Sequence, residues 1–124
     1  MRIRDGEDGR GSNLRGRAFE FACAVLDLHR SIYRSDPALR STSAQASRAA
    51  GSIGANLEEA DAAQSRPDFI SKCSIALKEA RESRYWLRVL ARLLSERRST
   101  IQPLIEESTE LVAILTTIVR RSRS

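Results

Sequence analysis

From Arg17 to the C-terminus, apolar side chains return every three or four residues almost without relief. A chain with that period can bury them only by forming helices and packing helix against helix. No stretch shows the period-two alternation of a half-buried strand, so a sheet has nothing to build on. Phe21, Val25, Leu28 and Ile32 make one stripe on a first helix, and Phe19, Ala22, Leu26 and Tyr33 make a second beside it. Asp36-Pro37 ends this helix, because the residue before a proline is pushed out of the α region.

A second helix is expected to start near Ser41 to Ser43, whose hydroxyls can cap it, and to run to about Ala63. Its apolar positions are mostly small: Ala46, Ala49, Ala50, Ile53, Leu57 and Ala60, with Gly51 and Gly54 among them. Each glycine costs about 1 kcal/mol of helix propensity relative to alanine, so close approach of a neighbouring helix is the expected return. Ser65-Arg66-Pro67-Asp68 then reads as a helix start: a Ser cap, Pro in the first turn, and an acid near the positive end of the dipole. The third helix reaches about Ser95, some 28 residues and roughly 42 Å. Phe69, Cys73, Ala76, Ala80, Leu87, Leu90 and Leu94 form its core stripe, and Ile75, Trp86, Val89 and Leu93 a second strip about 120° away. Thr100 is the expected cap of a fourth helix with Pro103 in its first turn. There Ile101, Leu104, Ser108, Leu111, Leu115 and Ile118 form a seam that Ile105, Val112 and Val119 widen.

Short connections between four helices imply an all-α, up-down-up-down antiparallel four-helix bundle. The apolar strips left over imply a homo-oligomer. The surfaces expected to meet another subunit are Phe21 and Val25 on the first helix and Ile75, Trp86, Val89 and Leu93 on the third. At 124 residues the chain supports one core, assigned to residues 17–124. Residues 1–16, rich in Arg, Gly and acids, bury too little to repay their ordering and read as a flexible basic tail. No apolar run approaches 18 residues, and the Arg-rich start lacks the apolar centre of a signal peptide, so no membrane association and a cytoplasmic location are expected.

The chemistry-bearing residues are few. One His and two Cys cannot form a His/Cys metal site unaided, and no nucleotide-binding glycine loop or nucleophile–base pair is legible, so neither catalysis nor a cofactor is expected. Cys23 and Cys73 both read as small apolar-side residues, and His29 as a packed or exposed side chain. Asn56 and Glu59 read as members of a structural network with Lys78 or Arg81.

What stands out is charge. The chain carries 21 Lys+Arg against 16 Asp+Glu, a formal +5, and residues 67–98 alone hold eight cations and four acids. Lys78, Arg81, Arg84, Arg88 and Arg92 share an arc of about 120° on the third helix, a stripe some 20 Å long. It can be a track for RNA or DNA phosphates. It can equally be a solvated face, or pair between subunits with Glu79, Glu82, Glu106, Glu107 and Glu110. Arg120, Arg121 and Arg123, with Arg2, Arg4, Arg10, Arg15 and Arg17, can add flexible contacts or simply solubilise the chain ends. Tyr85 and Trp86 can stack on bases, though interface packing is the stronger reading.

Three linked stretches carry a family likeness: Ser52-Ile53-Gly54-Ala55-Asn56-Leu57-Glu58-Glu59-Ala60, then Ser65-Arg66-Pro67-Asp68-Phe69-Ile70, then Ile75-Ala76-Leu77-Lys78-Glu79-Ala80-Arg81-Glu82 with Tyr85-Trp86-Leu87. Over residues 16–122 the chain resembles the bacterial four helix bundle proteins, also called 23S rRNA intervening-sequence proteins. The resemblance implies a ring-like homopentamer with a basic surface or channel. Five copies of a +5 chain would carry +25. It also implies kinship with the accessory variability determinant of diversity-generating retroelements, which binds nucleic acid and partners a reverse transcriptase. The function expected is thus a non-catalytic accessory protein on RNA or DNA, with a nucleic-acid-processing protein as a possible partner. The alternative is a purely structural scaffold that binds no nucleic acid.

Overall fold

The computed structural model describes residues 13–124, which form an all-α four-helix bundle. The helices are α1 (Leu14–Ser35), α2 (Arg40–Asp61), α3 (Arg66–Leu93) and α4 (Arg98–Arg123). Each helix packs against its neighbours in sequence, and α1 closes the bundle on α4 through a sparser seam. Residues 1–12 of the expected tail lie outside the described residues, but Leu14, Arg15 and Gly16 are already helical. Their register explains it. Leu14 and Ala18 extend the Phe21, Val25, Leu28 and Ile32 stripe back by about two turns, and all six are buried. Asn13, at φ 63°, turns the chain into the helix.

The third helix starts where its cap signal lies: the Asp68 amide donates to Ser65 Oγ at 3.1 Å, with Pro67 in the first turn. The second and fourth do not. Short 3₁₀ turns, Pro37–Leu39 and Ser95–Arg97, lead into α2 and α4, so Leu39 and Arg97 occupy the N-cap positions without any side-chain cap. Ser43 and Thr100, expected near or at caps, fall inside the helices, and Pro103 is the sixth residue of α4 instead of lying in its first turn. Ser43 serves otherwise: it is buried, donates to the Arg40 carbonyl at 3.2 Å, and lies 2.6 Å from His29 Nδ1. His29 thereby clips α1 to α2, beside an Arg40 guanidinium that stacks 4.2 Å from the Tyr33 ring.

The core runs the length of the bundle through Ile53, Leu57, Leu87, Leu90, Ile101, Leu111 and Leu115, all fully buried. Leu77 and Ala91 join it, and Val119 takes the place expected of Ile118, which is only partly covered. Ser83 and Ser108 are buried without penalty, each donating to the carbonyl three residues back. The α2 glycines behave differently from expectation. A Cβ on Gly51 would meet nothing within 4 Å, and one on Gly54 would touch Ala18 Cβ at an ordinary 3.6 Å. The small apolar residues buried on this helix are the alanines Ala46, Ala49, Ala50 and Ala60.

Candidate nucleic-acid interface

The outward surface of α3 is built from its sequence phase. With the core stripe facing inward, Lys78, Arg81, Arg84, Arg88 and Arg92 emerge on the far side over about 21 Å of helix. Arg84 is partly covered and the other four are exposed. Among the described residues none of the five pairs with an acid of its own subunit. Three of the five acids expected to pair with them, Glu79, Glu82 and Glu107, are engaged by other arginines. Arg48 of α2 bridges Glu79, at 3.4 Å, and Glu82. Glu107 accepts a two-pronged hydrogen bond from Arg17, at 2.7 and 2.9 Å, which holds the Arg17 guanidinium above its ordinary pKa.

Glu82 also accepts from Trp86 Nε1 at 3.2 Å, so one carboxylate joins α2 to the indole of α3. The Arg48 hydrogen bond draws the Glu82 carboxyl below its usual range, against an opposing effect of burial and with help from the indole. Trp86 packs partly against the core and makes a T-shaped pair with Tyr85, 5.1 Å between centroids and the rings inclined at 74°. Tyr85 itself stands outside, 56% exposed.

Two basic groups separate in sequence come together. Arg123, at the end of α4, reaches Ser74 Oγ at 3.5 Å. Pro67, Ile70, Ser71, Ser74, Ile75, Lys78 and Arg123 line one shallow groove of about 600 Å³, so the α4 terminus adjoins the Lys78 end of the stripe. Arg120 and Arg121 are exposed on the same last turn. The other arginines expected as flexible contacts are pinned: Arg15 to Asp61 at 3.2 Å and to Glu58 at 3.6 Å, Arg17 to Glu107. Arg2, Arg4 and Arg10 lie outside the described residues.

The surfaces expected to meet another subunit divide. Phe21 and Val25 are corrected: at 2% and 1% exposure they sit in the subunit's own core, and the outward residues of α1 are Phe19, Leu26 and Tyr33. Trp86 and Val89 are half-buried, whereas Ile75 and Leu93 are exposed. Asn56 donates to Ser52 within its own helix and Glu59 is exposed, so the expected network with Lys78 or Arg81 does not form. Cys73 is buried, which pushes its thiol up to about 11, while Cys23 is exposed. Among the described residues no three His, Cys, Asp or Glu side chains gather as a metal site, and no helix is long and apolar enough to cross a membrane.

Arg48 is the functional residue that pattern reading missed. Its signal lay in hairpin arithmetic: it stands about as far before the α2–α3 connection as Glu79 and Glu82 stand after it.

A comparison with curated proteins finds no match. Among solved structures, a crystal structure of a protein of unknown function from the S23 ribosomal protein family of Bacteroides thetaiotaomicron is 38% identical, with a TM-score of 0.79. The similarity covers 86% of this chain and 97% of that one. The family model for the 23S rRNA-intervening sequence protein matches residues 12–117, and the chain belongs to that family.

Proposed function

We propose that this protein is a non-catalytic, homo-oligomeric accessory protein that holds RNA or DNA by its phosphate backbone along α3, in the cytoplasm and as a pentamer. The observation that carries the reading is the unpaired state of the stripe. Among the described residues, five cations stand within about 21 Å without an acidic partner, while the neighbouring acids of α3 are tied to Arg48. Arg123, which lines a groove with Lys78, lengthens the same basic surface, and Arg120 and Arg121 lie on the same last turn of α4. The family's name, which refers to 23S rRNA, agrees with a nucleic-acid setting. In that setting the partner we propose is a nucleic-acid-processing protein, as the resemblance to the retroelement accessory proteins implies.

An up-down-up-down order is part of the reading. Contacts between opposite helix ends support it: Arg15 near the start of α1 with Asp61 at the end of α2, and Arg66 at the start of α3 with the Ser122 carbonyl near the end of α4.

The test is a mobility-shift assay with RNA and DNA at low and rising salt. Retention is expected at low salt, with a steep loss as salt rises. Arg84→Glu combined with Arg88→Glu should abolish most retention and lower the salt slope by about two. Unchanged retention in the double variant sinks the mechanism. A scaffold without nucleic acid is the second reading, favoured by the outward Phe19, Leu26 and Tyr33. It expects the same double variant to lower the oligomer's mass in light scattering, and the wild type to bind no nucleic acid.

A further inference from the structure

Resting on the backbone-binding reading, we propose that the α3 surface selects single-stranded over double-stranded nucleic acid, with Tyr85 as the platform on which a base stacks. At 100° per residue Tyr85 falls inside the arc of the cations: Lys78 and Arg92 lie seven residues to either side, Arg81 and Arg88 one turn away, and Arg84 adjacent. A solvated face or a duplex-phosphate track gains nothing from an aromatic ring in its middle. A single strand does, because its bases have free π-faces, whereas those of a duplex are stacked on one another.

Three further features fit Tyr85 for that part. The residue is 56% exposed, so a base can reach it. It is braced: Trp86 meets it edge to face at 5.1 Å, and Trp86 is fixed by the hydrogen bond from Nε1 to Glu82 and by the core behind it. A braced ring loses little conformational freedom when a base settles on it. Finally, the acid nearest the aromatic pair, Glu82, is already engaged by Arg48, so its charge opposes an incoming phosphate less than a free carboxylate would. Cations hold the backbone and the ring holds one base, a combination that is strong for unpaired strands and indifferent to sequence.

The experiment uses the full chain and fluorescent oligo-U, oligo-dT and a duplex of equal length, read by anisotropy at low salt. Emission of Trp86, the chain's one tryptophan, reports the neighbourhood of the site directly. Expected are tighter binding of either single strand than of the duplex, and a change in Trp86 emission on single strands alone. Tyr85→Ala should weaken single-strand binding about tenfold, the loss of one stacked base, leave duplex binding within about twofold, and be rescued by Tyr85→Phe. Equal loss on both ligands, or no loss on either, overturns the stacking role. So does a fall in oligomer mass for Tyr85→Ala, which would place the ring under a second copy of the chain. Absence of binding to all three probes fails the backbone reading itself, whereas salt-sensitive binding indifferent to Tyr85 fails only this inference.

Discussion

Glu82 links the side chains of Arg48 on α2 and Trp86 on α3, and its protonation state governs the link. Its carboxyl titrates below the usual range, because the Arg48 hydrogen bond favours the charged form. A carboxyl depressed in the folded state contributes stability above its unfolded value, near 4.3, and that contribution is lost as pH falls through the depressed folded value. Since Glu82 also accepts from Trp86, an acid titration of Trp86 emission should show a step centred below the ordinary glutamate range. Arg48→Gln should move the midpoint upward into that range, and a midpoint indifferent to Arg48 contradicts the assignment. At this scale the sequence was legible in residue type more than in partner. Arg17 and Glu107, 90 positions apart, could be matched only once the chain was folded.

Among the elements, the start of α3 was readable to within a residue because it is written in local chemistry, a serine hydroxyl accepting from the amide three residues on. The starts of α2 and α4 were not, since 3₁₀ turns carry the chain into them and leave the nearby hydroxyls with other work. Gly51 marks a comparable limit. Composition implied a close helix crossing there, yet the position opens on empty space, so its glycine brings only the entropic cost of a flexible residue. Gly51→Ala should therefore stabilise the bundle by about 0.5–1 kcal/mol in urea unfolding. A destabilising effect would show that something outside the subunit covers the site.

For the whole molecule, periodicity distinguished apolar from polar faces but could not decide which of two adjacent apolar stripes on α1 points inward. The Phe21 and Val25 stripe won because Leu14 and Ala18 continue it, leaving Phe19, Leu26 and Tyr33 outside. If the oligomer forms through that outer strip, Leu26→Glu should lower the particle mass in light scattering while leaving helicity unchanged. A Leu26→Glu variant that keeps the wild-type mass would show that assembly uses another surface. The charge stripe was visible in the sequence, whereas its lack of acidic partners among the described residues depended on Arg48 and Arg17 reaching across helices. The sparse α1–α4 seam has a consequence for how the chain comes together. Three of the four helix pairings join consecutive helices and close only short loops, while the fourth brings together segments from opposite ends of the chain and holds them with polar clasps, Arg17 to Glu107 and Arg97 to Ser31 and Ser35. Loop-closure entropy makes that seam the last to zip and the first to part. The bundle thus breathes like a hinged screen at its latch, while the panel bearing the α3 arginines keeps its shape.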